Sequence, residues 1–447
     1  MGHSKERRQG VIAFKIALVV FWMVRTAMAS EPAPDTSGWL EGHLRYMDIY
    51  MPVFHVYWKD RLHLESWKRT LKIQIGGTVQ LDTGDIGPDS QLERAFPGLR
   101  EYHTDFRRAR VSTFTTLYDR VDIKFEIDFA RIREIKDLWV GLRRVPVIGD
   151  VKAGHMKEPF SLEELISNTS LTFMERALPV LAFSPGRDVG VMCQNTALDD
   201  RLTWSAGAFM LTGSFTDIGD AKDQLSDIFG YAFTGRITGL PCHWDNGRQL
   251  MHVGLSYTYQ ERDEHLERAR LKLSALPESY LTDTRLIDTS PFFTGGMQMI
   301  NPEWALVLGP LSFQAEYVQA FVDADKAGDP WFWGGYLYGS YFLTGEHRTY
   351  DMKKGIFSRV RPRDNFHFSG GGWGAWELGL RFSYVDLNGG NIRGGKEGNL
   401  TAGLNWYIDP NMRIMLNYIH VDVRARAVPF VDSGTADIIQ GRFQLTF

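Results

Sequence analysis

Residues 121–129 read Val-Asp-Ile-Lys-Phe-Glu-Ile-Asp-Phe, an unbroken alternation of apolar and charged side chains. Successive side chains of an extended strand point to opposite faces, so Val121, Ile123, Phe125, Ile127 and Phe129 share one surface. Asp122, Lys124, Glu126 and Asp128 share the other. The stretch specifies a strand with one dry and one wet face. A soluble sheet satisfies that pattern as readily as a membrane barrel, and repetition decides between them.

The same alternation recurs outward from this stretch. Trp376, Leu378, Leu380, Phe382 and Tyr384 alternate with Glu377, Gly379, Arg381 and Ser383. Leu400, Ala402, Leu404, Trp406 and Ile408 alternate with Thr401, Gly403, Asn405 and Tyr407. Met412, Ile414, Leu416 and Tyr418 alternate less cleanly with Arg413, Met415, Asn417 and Ile419. The predicted strands are 72–83, 104–117, 121–130, 136–143, 150–157, 188–196, 201–212, 229–239, 249–260, 296–308, 311–322, 332–344, 373–387, 399–408, 411–424 and 436–447. They number sixteen, and an even count of strands of about ten residues, apolar on one face and polar on the other, is what a barrel with lipid outside and water inside requires. Tight turns are expected at 118–120, 147–149, 309–310 and 409–410, and long polar loops at 84–103, 158–187, 261–294 and 345–372. Short turns on one rim and long loops on the other fit the same architecture. The fold class is therefore all-β: a transmembrane antiparallel barrel spanning 71–447.

Composition agrees. Of 447 residues, 44% are hydrophobic, 23% charged and 13% aromatic, with 44 Gly and 13 Trp, which suits a β-rich protein with aromatic girdles. The net charge of −4 gives no electrostatic reason for a nucleic-acid partner. Cys193 and Cys242 are too few for a disulfide framework or a four-cysteine zinc site, though a single bridge between them stays open.

At the start of the chain, Lys5, Arg7 and Arg8 precede an apolar run from Val11 to Val24, interrupted only by Lys15. Ala27-Met28-Ala29 then places small residues at the positions a signal peptidase reads, so 1–29 is expected to be a cleaved signal peptide. The apolar run, about 14 residues, falls short of the ~20 a spanning helix needs. No later stretch reaches that length, and a closed barrel is then the one way across a membrane. Residues 30–70, punctuated by Trp39, Tyr46, Tyr50, Tyr57, Trp58 and Trp67, are expected to be a periplasmic N-terminal segment. In the last strand, Ile439, Gly441, Phe443, Leu445 and Phe447 alternate with Gln440, Arg442, Gln444 and Thr446. A terminal aromatic on such a strand resembles the signal that the outer-membrane assembly machinery recognises, which makes that machinery an expected partner alongside outer-membrane lipid.

Five segments together resemble the phosphate-selective porin O and P family. They are Ile73-Gln74-Ile75-Gly76-Gly77 with Gln80-Leu81-Asp82; Phe106-Arg107-Arg108-Ala109-Arg110; Gly154-His155-Met156-Lys157-Glu158-Pro159-Phe160-Ser161-Leu162-Glu163 with Phe173-Met174-Glu175-Arg176-Ala177; Leu343-Thr344-Gly345-Glu346; and Gly374-Ala375-Trp376-Glu377-Leu378. The resemblance implies a homotrimer of sixteen-stranded barrels in the bacterial outer membrane, with a third loop folded inward as a constriction and a lumen that selects anions. Arg107, Arg108 and Arg176 stand where it places central arginines. Arg110 shares a strand face with Arg108, while Arg381, Arg413 and Arg442 alternate onto polar faces. These last three either line the pore wall or are hydrated or paired with carboxylates such as Glu377. Guanidinium groups suit the task, being planar, forked and permanently charged.

The constriction loop is expected to use Lys157, Ser161, Glu164, Glu175 and Arg187. Ser161-x-x-Glu164 has the form of a capping box and predicts a short helix. Residues 157–187 carry Glu158, Glu163, Glu164 and Glu175 against Lys157, Arg176 and Arg187, a net charge of −1. Thr78, Glu164 and Thr169 stand where the family places basic residues, and Arg268, Arg270 and Lys272 only partly echo its later basic ladder. Strict phosphate selectivity does not follow from this pattern. No metalloprotease, phosphate-loop or nucleophile-elbow motif is present, so no catalytic site, cofactor or metal is expected, and His155 reads as structural. The expected function is passive diffusion of small anions, phosphate or other oxyanions among them. The competing readings are a general porin of low selectivity and a non-conducting barrel serving as envelope anchor or receptor.

Overall fold

The computed structural model describes residues 54–447 except 101, 131–133, 213–227, 264–265 and 369, so the expected signal peptide lies outside the described residues. A hairpin, β1 (Phe54–Trp58) and β2 (Leu62–Ser66), leads into β3 (Leu71–Pro88). A short helix α1 (Ser90–Ala95) separates β3 from β4 (Tyr102–Leu117). Then come β5 (Val121–Asp128), β6 (Glu134–Val145) and β7 (Gly149–Lys157). The next connection carries α2 (Leu162–Leu165) and α3 (Leu178–Phe183) before β8 (Arg187–Ala197) and β9 (Leu202–Leu211). β10 (Gly230–Trp244) and β11 (Gln249–Arg262) precede a two-residue pair, β12 (Ser274–Ala275) with β13 (Ile287–Asp288). β14 (Gly296–Leu308), β15 (Leu311–Asp323) and β16 (Trp331–Phe342) lead to a second small pair, β17 (Tyr350–Asp351) with β18 (Ile356–Phe357). β19 (Ala375–Gly389), β20 (Ile392–Tyr407), β21 (Met412–Arg426) and β22 (Val431–Thr446) complete the chain.

The main sheet holds eighteen strands, β1 and β2 among them. The other sixteen pair antiparallel with their chain neighbours and close when β22 pairs with β3, from Thr446↔Thr78 to Ala436↔Pro88. Closure removes the sheet edge, which a membrane interior does not tolerate. The distribution of side chains is inverted relative to a soluble protein. Leu380 and Phe382 on β19 are 57% and 55% exposed, whereas Arg381 between them is fully buried. Apolar surface outside and polar groups inside is the informative observation, since soluble proteins do the opposite.

All sixteen predicted barrel strands are present, with the largest differences at their ends. β20 begins at Ile392, not 399, and β10 runs on to Trp244, not 239. The added residues are poor in alternating apolar groups, but their backbones still complete the ladder. Part of the N-terminal segment is ordered as the β1–β2 hairpin, which pairs with the start of β3 (Leu62↔Ile75) below the last residue of β22. One expectation about the ends of the barrel needs correction. The 345–372 stretch is long, but it comes after the twelfth barrel strand and so lies on the rim of short turns. Cys193 and Cys242 are unpaired.

Three segments fill the barrel. Connections 158–186 and 263–295 enter from the loop rim. Phe160, Leu178 and Phe183 from the first pack with Leu271, Leu273 and Ile287 from the second against Met299, Val318, Phe332 and Val385 of the wall. Connection 343–374 enters from the turn rim, where its Phe357 joins Leu162, Ile166 and Leu171 over β10, β11 and β14. All three lean on the β10–β22 side, and the space they leave lies against β4–β9.

Candidate functional site

The inward loop is shaped by its own polar groups. Ser161 caps α2, its Oγ accepting from Glu164 N at 3.2 Å, as the predicted capping box requires. The reciprocal half is absent because the Glu164 carboxylate turns to Lys157 Nζ (3.1 Å) and Arg176 Nε (3.0 Å). From the wall, Glu316 receives Leu162 N and Glu163 N at 3.0 and 2.8 Å, standing at the positive end of the short turn. Arg176 donates to the carbonyls of Glu163, Glu164 and Ile166 and to Asn168 Oδ1. Its donors are engaged within the loop, so it fixes the loop's curvature.

Five further predicted arginines converge on the returning limb 172–175. A register shift between Gln80 and Leu81 places Arg107 as the extra residue of a bulge in β4. As a result two consecutive arginines turn to the same side, which simple alternation would forbid. Arg107 binds Glu175 with two donors (2.9 and 3.2 Å) and lies 3.5 Å over the Tyr280 ring. Arg108 reaches Glu175 Oε2 at 3.2 Å and Gln80 at 2.7 Å. Arg442 binds Asp82 through two donors at 2.6 Å, Glu175 at 2.6 Å and Met174 O at 2.5 Å. Arg381 donates to Glu175 O and pairs with Glu278 at 2.5 Å, not with Glu377. Arg413 donates to Thr172 O at 3.1 Å and Asn405 at 2.9 Å. A buried ion pair costs desolvation on both sides, and here several acceptors per arginine offset that cost, although the Nε atoms of Arg108, Arg381 and Arg413 find none. These residues clamp the loop to the wall.

Beside the clamp, with Arg108 common to both, lies a cavity of about 410 Å3 lined by ten basic side chains and two acidic ones, Glu126 and Asp137. Arg108 and Arg110 are the strand-borne arginines of the expected filter found here, joined by Lys157 and Arg187 of the constriction loop. Arg110 is paired with Asp128 (2.7 Å) and Glu126 (3.2 Å), and Arg187 with Asp137 (3.0 Å). Lys124, Lys152, Arg236, Lys353, Lys354 and Arg61 complete the set. Arg236 bridges Glu303 (2.7 Å) on the wall to Gly355 O (2.8 Å) on connection 343–374, which holds Lys353 and Lys354 below the cavity. A second cavity of about 390 Å3 lies beside it, lined by Lys136, His155, Arg262 and Lys272 among others. Arg187 lines both cavities and marks their junction.

The loop's acidic count loses its force in this geometry. Glu158 meets Thr234, Glu163 receives Ala177 N at 2.8 Å, Glu164 pairs with Lys157 and Arg176, and Glu175 sits among three arginines. None of the four lines the basic cavity. Of the cations not singled out from sequence, Lys124 stands on the wet face of the opening stretch and Lys152 on a strand read correctly, so alternation alone could have nominated both. Lys353 and Lys354 required knowing that their connection enters from the turn rim.

A closed barrel with apolar girdles outside and basic groups in its lumen defines a membrane channel protein. The family described as phosphate-selective porin O and P matches residues 73–447, and the chain belongs to that family. It is a protein of the bacterial outer membrane. Porin O of Pseudomonas aeruginosa is 26% identical over 404 residues, covering 81% of this chain and 85% of that one. An uncharacterized protein of Caulobacter vibrioides is 29% identical over 371 residues, covering 81% and 70%. Among solved structures, an anion-selective porin from Comamonas acidovorans superposes with a TM-score of 0.52 at 13% identity, covering 84% of this chain and 100% of that one. The outer membrane channel DcaP of Acinetobacter baumannii gives 0.52 at 10% identity, covering 86% and 99%. These likenesses establish the shared fold.

Proposed function

We propose that this porin conducts small anions passively, and that the basic cavity against β4–β9 sets its preference. The carrying observation is the ratio of ten basic to two acidic side chains around the space the inward segments leave open. Fixed positive charge in a narrow lumen lowers the barrier for anions and raises it for cations. The field is strengthened because the surrounding walls are of low dielectric. Phosphate is among the anions such a lumen admits. Five lysines stand among the five arginines around the cavity, and that mixed lining supports a channel that accepts several oxyanions without strict choice. Arg108 and Arg110 act as filter residues in this reading, with Arg187 at the junction of the two cavities. Arg107, Arg176, Arg381, Arg413 and Arg442 act indirectly by holding the loop that shapes the passage. The proposal includes export by cleavage of 1–29, insertion by the outer-membrane assembly machinery, a periplasmic setting for 30–70, and a homotrimer. The trimer is checked by the mass of the detergent-solubilised particle.

Zero-current potential under a potassium chloride gradient in planar bilayers tests the central reading. The expected sign is that of chloride preference. Potassium preference would overturn it, and absence of unitary steps would favour a closed barrel serving as anchor or receptor.

A further inference from the structure

Trp139 interrupts the basic cavity. It comes from the inward face of β6, with Lys124 of β5 as one cross-strand partner and Gly154 of β7 as the other. The glycines around it leave its ring room to lie along the wall. A Cβ at Gly154 would stand 2.7 Å from Trp139 Cα, and one at Gly141 would stand 3.2 Å from the ring atom Cζ3. Behind the indole, Met156, Met192 and Phe209 form an apolar cluster against which it packs. Phe114 meets it edge-on at 6.2 Å, and Lys152 Nζ stands 5.1 Å from its ring centroid. Lys152 donates to Gln194 at 2.9 Å, and no carboxylate lies within 4.0 Å of its ammonium among the described residues.

A hydrated chloride or phosphate gains little from an apolar ring, and wet apolar surface is unfavourable unless something covers it. A solute that joins a flat apolar body to a carboxylate would satisfy both kinds of surface at once. Its ring would cover the indole, and its charge would sit beside the ammonium of Lys152, with Lys124, which Glu126 pairs at 3.2 Å, on the neighbouring strand. At about 410 Å3 the cavity falls within the roughly 300–1,000 Å3 typical of small-molecule sites. We infer that the chamber beside Trp139 is a binding subsite for aromatic carboxylates, so that this porin favours organic anions with a planar apolar body over inorganic ones of equal charge. The inference rests on the proposed anion preference and adds the class of anion.

Chloride current through single channels, titrated with benzoate and separately with acetate, tests it. The two carry equal charge and differ in the ring. Benzoate is expected to reduce chloride current at concentrations several-fold below those at which acetate acts. Trp139→Ala should bring the two titrations together, while Trp139→Phe should keep part of the separation. Trp244→Ala, at the turn between β10 and β11 and 58% exposed, should keep all of it. Coincident benzoate and acetate titrations in the wild-type channel would overturn the inference, as would an undiminished separation in Trp139→Ala. The wild-type comparison stands even if a variant fails to insert. Failure of the anion reading itself would appear separately, as potassium preference in chloride solutions free of organic anion.

Discussion

Arginines on β19, β21 and β22 and basic residues on β4 to β8 occupy equivalent positions, inward on alternating strands of one barrel, yet they meet different surroundings. Arg381, Arg413 and Arg442 are buried under the returning limb of the inward loop and bound to Glu278, Asn405, Asp82 and the carbonyls 172–175. Arg110, Lys124 and Lys152 border open space. The difference lies in what the loops cover. Covered cations are each held by at least two acceptors, although the Nε atoms of Arg381 and Arg413 stay unmatched, because an unpaired charge in a dry interior is costly. Uncovered cations keep part of their field for whatever enters the lumen. A charge count along the loop therefore says little about selectivity until the wall each charge faces is known.

The largest expected effect comes from breaking the covered side. Glu175→Ala leaves Arg107, Arg108 and Arg442 without their shared carboxylate, and removing one partner of a buried pair costs about 3–5 kcal/mol. A lower thermal midpoint in detergent and a larger, noisier unitary conductance are expected from the freed loop. An unchanged conductance with an unchanged midpoint would contradict the clamp. Next in size is reversal of charge on the open side. Lys124→Glu with Lys152→Glu should carry the zero-current potential toward potassium, while the thermal midpoint changes little. Lys353→Ala with Lys354→Ala should act in the same direction and more weakly, since the Lys354 side chain is 64% exposed and better screened. The smallest effect is of ionic strength: raising salt from about 0.1 to about 1 M shrinks the Debye length from ~10 to ~3 Å and should lower the anion preference of the wild-type channel by degrees. A preference indifferent to salt would place selectivity in covered groups that salt does not reach, against the comparison drawn between the two walls.

The fold was legible because its determinants are local. Each strand announces itself through alternation, as in Val121–Phe129, and sixteen such runs leave one closed arrangement. The site was legible in part. Arg108, Arg110, Lys157 and Arg187, named from sequence, line the cavity, and Ser161 caps the helix its spacing predicts. The division of arginines into clamp and lining was hidden, because it depends on contacts between residues far apart in sequence, such as Arg442 with Asp82. The bulge at Arg107 was hidden for another reason: an extra residue in a ladder leaves no trace in composition and reverses the face of every later residue in its strand. Length alone groups 345–372 with the long loops, whereas its parity, after the twelfth barrel strand, puts it on the rim of turns.

The chloride-to-potassium permeability ratio, compared between Lys152→Gln and Arg413→Gln in one bilayer system, tests the division of the two walls most directly. Each substitution removes one positive charge from an inward position. The account predicts a ratio reduced roughly fivefold for Lys152→Gln, corresponding to about 1 kcal/mol of lost charge interaction, and little change for Arg413→Gln in the channels that insert. Equal reductions in both variants, or a larger one for Arg413→Gln, would contradict it.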